Sequence, residues 1–286
     1  MGEGCASVSV LSANYNNGRY LDSYFESIYA STLVPDEIVI VDDGSRDDSR
    51  EIILRYAQKH GNVRHLMLDK NIGFANALNR GLEVVKSKYV MRLDPDDHIH
   101  ADKIRQQFDF LENNPQIDIV GTNAQYFELD RISSFKSNFP EKDEQIKRQF
   151  RRGVLGLLHG TVMCKTEVYK KYRYEQDYVP AEDFVLFAQM LADGHRAANI
   201  KEPLTYVRVH AGSVSNDLSF KAIEVPFLTS NRLFGMNHGP LKIKIFYYHL
   251  KYYRKFLFSP NKLKKLWYIA LSSLLQPGKI LARIKR

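Results

Sequence analysis

Residues 37–45, Glu37-Ile38-Val39-Ile40-Val41-Asp42-Asp43-Gly44-Ser45, decide the fold. Four β-branched side chains in a row suit a strand, and two carboxylates followed by glycine end it in a turn. A segment of helical period, Asp47–His60, comes next, and the same alternation extends to both sides. Strands are predicted at Ser7–Leu11, Glu37–Val41, Val63–Leu68, Tyr89–Leu93 and Ile117–Val120, and helices at Tyr20–Ala30, Asp47–His60, Phe74–Val85 and Asp102–Asn113. Ser45, with Asp48 three residues on, reads as a variant capping box for the second helix. Strand and helix in alternation make an α/β fold, a mostly parallel sheet with helices on both faces.

That pattern defines a first half, 1–121. A second half of the same domain, 122–239, is mixed: a polar stretch to about 141, a helix Asp143–Arg152, an apolar segment Leu155–Cys164, a helix Ala181–Ala192 and a strand Pro203–Val209. In 286 residues, 44% hydrophobic side chains suffice for a real core. Cys5 and Cys164 are far apart, so neither a disulfide scaffold nor a cysteine zinc site is expected, and a reducing, cytosolic setting fits. The first apolar stretch has no basic n-region, and the most lipid-like uncharged run, Leu266 to Gly278, has 13 residues where a span needs roughly 20. Neither secretion nor a transmembrane helix is expected.

The net charge of +8 is unevenly placed. Residues 240–286 hold 12 of the 41 basic residues and no acid, which leaves the body, 1–239, at a net of −4. Within this tail Leu263, Leu266, Trp267, Ala270, Leu271 and Leu274 form one helical stripe behind Lys262, Lys264 and Lys265. A preceding segment, Ile245 to Leu257, interleaves tyrosines with Lys251, Arg254 and Lys255, and Pro260 separates the two. A basic amphipathic helical tail of this composition suits an anionic membrane surface. Nucleic acid is not expected, because the body is acidic and the stripe is apolar. Packing of the stripe on the protein's own core is the other reading.

In an open parallel sheet, ligands bind beyond the carboxyl ends of the strands. The first strand runs into Ala13-Asn14-Tyr15-Asn16-Asn17, the second into Asp42-Asp43-Gly44-Ser45 and the fourth into Asp94-Pro95-Asp96-Asp97. Neither G-x-G-x-x-G nor G-x-x-x-x-G-K-[ST] stands there, which argues against a dinucleotide oxidoreductase and a P-loop NTPase. Asp94 and Asp96, two apart on extended backbone, face the same way and suit a hard cation, Mn²⁺ or Mg²⁺, shared with two phosphates. An acidic turn capping the next helix would use the same residues. A carboxylate of the Asp42-Asp43 pair can accept the imide N–H of uracil while Tyr15 stacks on the base, although a plain strand-to-helix turn also explains the pair. Glu182-Asp183 opens a helix, whose dipole alone favours acids there. His210 and Arg208 share a strand face and can bring an imidazole to a metal and a guanidinium to a diphosphate. His159-Gly160, in an apolar segment, is open to a purely structural reading.

Six segments in one order resemble the inverting, metal-dependent GT-A nucleotide-sugar glycosyltransferases of family 2: Val8 to Asn17, Ile38 to Ser45, Asn71 to Gly81, Leu93 to Asp97, Glu182-Asp183-Phe184 and His210 to Ser215. The likeness spans about Ala6 to Ser215. It implies a GT-A sheet, uracil recognition by Tyr15 and Asp43, a nucleotide-side role for the loop with Asn71 and Gly73, and metal and diphosphate contacts at Asp94 and Asp96. It also implies a general base in Glu182-Asp183, with Asp183 preferred, and places His159 and Gly160 beside the acceptor. Leu78 stands where the family commonly has Arg, and Ser12-Ala13 where it usually has Pro or Thr. The expected activity is transfer of a sugar from a UDP-sugar to a hydroxyl of a glycan or lipid-linked glycan, by a peripheral protein on the cytoplasmic face of a membrane. The alternatives are a nucleotidyltransferase that makes an activated sugar, and a catalytically silent membrane-associated binding protein.

Overall fold

The structure is a computed structural model that describes residues 7–128, 131–210, 218–259 and 261–276. Cys5, Pro260 and most of the His210 to Ser215 segment lie outside the described residues, as does everything after Gln276. The chain opens as β1 (Val8–Asn14), α1 (Gly18–Tyr29), β2 (Glu37–Asp42), α2 (Ser49–His60), β3 (Val63–Met67), α3 (Phe74–Val84) and β4 (Tyr89–Arg92). A short β5 (His98–Ile99), α4 (Lys103–Asn113), the long β6 (Ile119–Glu128), β7 (Arg131–Lys136) and α5 (Asp143–Arg151) follow. Next come β8 (Met163–Lys165), α6 (Thr166–Tyr169), α7 (Glu182–Ala192), β9 (Ala197–Arg208), α8 (Phe220–Phe234), α9 (Pro240–Phe258) and α10 (Lys262–Leu275).

The strands form one sheet in the order β3-β2-β1-β4-β8-β6-β9-β5, with β7 added on β6. The β3-β2-β1-β4 block is parallel, β8 is antiparallel to β4 and β6, and β9 is parallel to β6. Alternation along each strand sends successive residues to opposite faces. Leu11, Ala13, Val39 and Val41 pack with α3 and α7, whereas Val8, Val10, Ile38 and Ile40 pack with α1, α2 and α4. Both faces of the sheet are therefore covered. At Gly81 a Cβ would lie 2.3 Å from Leu11 Cδ1, so the missing side chain lets α3 lie close on β1.

Several elements differ from the sequence reading. The polar stretch after residue 121 is largely strand, and the boundary between the two halves falls inside β6. Its polar side chains are buried and satisfied: Asn123 donates to the Lys201 carbonyl at 2.9 Å and accepts from the Phe139 N–H at 2.8 Å. Ser45 caps no helix; its hydroxyl accepts the Asn16 N–H at 2.9 Å, and α2 begins four residues later. The apolar segment Leu155–Cys164 becomes a 3₁₀ turn, His159–Thr161, leading into β8. Helix α8 runs through Pro226, a residue that reads as a helix breaker. In the tail, α9 and α10 lie antiparallel, with His249 Nδ1 2.9 Å from Ser272 Oγ and the rings of Tyr252 and Tyr268 stacked. No helix among the described residues is long and apolar enough to cross a membrane.

Candidate active site

The carboxyl ends of β1, β2 and β4 surround a cavity of about 480 Å³. Asn14 ends β1 and donates to Asp42 Oδ2 at 2.9 Å, and Asp42 also accepts the Ser45 N–H and the Arg50 Nε–H. Asp42 is thus the knot that ties the two strand ends together, and it does not line the cavity. Asp43 does. Its carboxylate accepts the N–H groups of Ile72 at 2.7 Å and Gly73 at 3.0 Å, so it holds the loop before α3 in place. Gly73 has φ +94° and lies against Gln176, which excludes a side chain there. Asn71, on the same loop, lines the cavity, as does Tyr15, whose ring is 45% exposed and free to stack.

Asp94, Asp96 and Asp97 form the floor. Asp94 accepts a hydrogen bond from Arg92, a fully buried guanidinium that also lies 5.2 Å from the Phe74 ring. Asp96 Oδ2 is 3.0 Å from His210 Nε2. Burial, and then the negative charge of Asp94, push the Asp96 carboxyl above its ordinary range, and His210 acts in the opposite direction. Asp97, buried beneath and accepting the Arg208 N–H at 2.8 Å, is pushed up further by the same burial and by both neighbouring carboxylates. The Arg208 guanidinium stacks between Tyr20 and Phe127.

The opposite wall is the 3₁₀ turn and the start of α7. His159, kept neutral by burial and by Arg92, has Nε2 2.6 Å from the Tyr174 hydroxyl. The turn is held from below by Lys103 and Gln107, which donate to the Thr161 carbonyl at 2.8 and 2.9 Å. Lys103 is buried, and its ammonium is thereby pushed down to about 7. A Cβ on Gly160 would sit 2.8 Å from Asp94 Oδ2 and 3.6 Å from Asp97 Oδ2, so glycine keeps the space over these carboxylates open. Glu182 lines the cavity with Oε2 buried and without a hydrogen-bond partner among the described residues. Its carboxyl is pushed up to about 7 by burial and by Asp183. Asp183 keeps part of its surface open although protein surrounds it. Burial pushes it up to about 6, against the Phe184 N–H that it accepts at 2.6 Å.

Of the site residues expected from the sequence, Tyr15, Asp43, Asn71, Asp94, Asp96, His159, Glu182 and His210 line this one cavity. Gly73, Gly160 and Asp183 border it through Asp43, Asp94 and Glu182, and Asp42 lies behind it. Arg92, Phe74 and Tyr174 were not singled out. Arg92 left one signal, a lone charge inside the apolar run Tyr89–Leu93. Leu78, where the family commonly has Arg, is fully buried in the core.

Among the described residues no three acidic, histidine or cysteine side chains form a ready-made metal cluster. The donor chemistry nevertheless fits a hard divalent cation: two carboxylates and an imidazole, excess negative charge, and a clearance over Asp94 that a Cβ at Gly160 would fill.

A strand-end cavity on an open, mostly parallel sheet with helices on both faces is the arrangement of a GT-A fold. The profile of glycosyl transferase family 2 matches residues 9–173, and the chain belongs to that family. It is 31% identical over 219 residues to the UDP-Glc:alpha-D-GlcNAc-diphosphoundecaprenol beta-1,3-glucosyltransferase WfaP of Escherichia coli, covering 73% of this chain and 79% of that one. Its fold is similar to S. aureus TarS 1-349 in complex with UDP-GlcNAc, at TM-score 0.65 and 17% identity over 93% of this chain and 79% of that one. It is also similar to the mannosyltransferase PcManGT from Pyrobaculum calidifontis in complex with GDP-Man and Mn²⁺, at TM-score 0.60 and 15% identity over 98% and 79%.

Proposed function

We propose that this glycosyltransferase moves a sugar from a UDP-sugar to a hydroxyl of a lipid-linked glycan at the cytoplasmic face of a membrane, with inversion at the anomeric carbon. The observation that carries the reading is the convergence of three kinds of group on one cavity of about 480 Å³, a volume in the range of nucleotide-sized ligands. Tyr15 and Asp43 lie where a base can stack and donate its imide N–H. Each Asp43 oxygen still has a lone pair beyond the one engaged with the loop. Asp94, Asp96 and His210 would hold Mn²⁺ or Mg²⁺, which when bound offsets the charge of the diphosphate. The Arg208 guanidinium adds a fixed cation on the same side.

At the opposite wall, Asp183 accepts the acceptor proton while the acceptor oxygen forms its bond to the anomeric carbon. The bond from that carbon to the diphosphate breaks on the other face, and UDP departs with the electron pair. Two adjacent carboxyls with unequal affinity for protons divide the labour. Burial and the charge of Asp183 raise Glu182 the further of the two, so Glu182 holds its proton to higher pH and Asp183 is the one that ionises first as the base. The relative in Escherichia coli that uses a diphosphoundecaprenol acceptor supports the lipid-linked assignment. A screen of nucleotide sugars for UDP release, with a lipid-diphosphate GlcNAc acceptor present and absent, tests it. Release from a UDP-sugar only when acceptor is added is expected. No release from any donor would leave a silent binding protein, and release from GDP-sugars alone would refute the uracil assignment.

A further inference from the structure

The amphipathic stripe of α10 points away from the protein. Leu263, Leu266, Trp267 and Leu274 are 79, 66, 63 and 79% exposed. At 3.6 residues per turn they fall on one face. The face turned inward carries Ser272, fully buried against His249, and Tyr268, which stacks on Tyr252. The helix therefore packs on α9 through the side that carries Ser272 and Tyr268 and leaves the stripe without cover among the described residues. An exposed apolar strip of this kind marks an interaction surface.

Charge selects the partner. Lys262 and Lys264 lie on either flank of the stripe and are exposed, whereas Lys265, half-buried, and Lys255 of α9, 5.5 Å over the Tyr268 ring, lie on the inward side. Residues 240–286 contain no acid. A second copy of the same face would meet like charge, which disfavours self-association. We propose that the outward face of α10 docks flat on a bilayer that carries anionic phospholipid headgroups. Trp267 and the leucines enter the interfacial layer, and the lysines pair with phosphates. The proposal rests on the lipid-linked acceptor reading for its purpose, and α9 and α8 connect the docked helix to α7, which begins with the acids of the site.

Trp267 is the one tryptophan in the chain, so its emission reports on this face without engineering. The full chain is mixed with vesicles of phosphatidylcholine alone or of phosphatidylcholine with phosphatidylglycerol, at low and high salt. A blue shift, quenching by brominated acyl chains and flotation are expected with the anionic vesicles, weakened by salt. Replacing Lys262 and Lys264 together by Gln should weaken partitioning by roughly 25-fold, at roughly fivefold per cation. Leu266→Ser with Trp267→Ser should abolish flotation while circular dichroism stays unchanged, since both side chains lie outside the α9–α10 contact. The proposal falls if the emission does not move at low salt, or if both variants float like the parent. It also falls if RNA, or protein concentration alone, produces the same shift. UDP release on a detergent-dispersed acceptor is measured separately: release without flotation refutes docking alone, and flotation without release refutes the transferase reading alone.

Discussion

Replacing Asp183 by Asn tests the chemical step most directly, because the structure limits what else the change can do. The Asp183 oxygen that accepts the Phe184 N–H at 2.6 Å has an equivalent in Asn, so the start of α7 should survive. Removing a negative charge that borders a cavity already lined by Asp94, Asp96 and Asp97 should not weaken nucleotide binding. Loss of general-base assistance predicts a fall in kcat of roughly 10²–10⁴-fold, about 3–5 kcal/mol of barrier, at unchanged UDP affinity. The pH profile provides the sign. The carboxyl is raised to about 6, and the base must be ionised, so about nine-tenths is competent at pH 7 and about one-tenth at pH 5. Wild-type kcat should therefore rise about tenfold between these values and then level off. A cation at Asp94 would offset part of what raises Asp183 and move this limb toward lower pH. In the Asn variant the limb should vanish. The assay is steady-state UDP release across pH, with nucleotide affinity by calorimetry on the same protein. A variant rate within a few-fold of wild type, or a limb that persists in it, would refute the assignment and move the role to Glu182, which Glu182→Gln then tests.

The remaining expectations concern the donor, the cation and the packing. UDP should bind more tightly than CDP, GDP or ADP, and Asp43→Ala should cost on the order of 1–3 kcal/mol of UDP affinity by calorimetry; equal affinity for all four would remove the uracil reading. EDTA should abolish UDP release and Mn²⁺ should restore it, and Asp96→Ala should be inactive yet folded; a wild-type rate that ignores EDTA would refute the cation. Gly81→Ala should lower stability by up to about 2 kcal/mol in urea titration, overpacking against Leu11 outweighing the gain in helix propensity, and an unchanged midpoint would show that β1 yields.

The parallel half of the fold was legible because burial on both faces writes itself into sequence as unbroken β-branched runs, Ile38 to Val41 being the clearest. Strand β6 beyond Val120 was not, because its buried Thr122, Asn123 and Gln125 read as surface; only the partners supplied by β7, β9 and the chain near Phe139 reveal why they are inside. The site divides in the same way. Side chains that project from strand ends, such as Tyr15, Asp94 and Asp96, could be read by position, whereas Asp42 could not be told from Asp43. Both acids follow the same strand, and what separates them is which neighbours they hold: the strand-end amide of Asn14 for one and the loop N–H groups of residues 72 and 73 for the other.

The tail shows the same limit from the opposite side. Period and composition define the stripe on α10 but are silent on which way it faces, since an amphipathic helix buries its apolar side whenever its own domain offers a matching surface. Here α9 offers His249, whose Nδ1 and carbonyl both engage Ser272, and a buried polar pair of this kind fixes the rotation of α10 more strictly than apolar contact would. Turning α10 to bury Trp267 and the leucines would break that pair and expose the Tyr252–Tyr268 stack. The outward stripe is therefore specified by the inward face, and Ser272→Leu, which substitutes apolar packing for the hydrogen bonds, should loosen the register of the two helices and shift Trp267 emission to the blue without any lipid. Emission unchanged by that substitution would show that contacts other than the His249–Ser272 pair set the rotation.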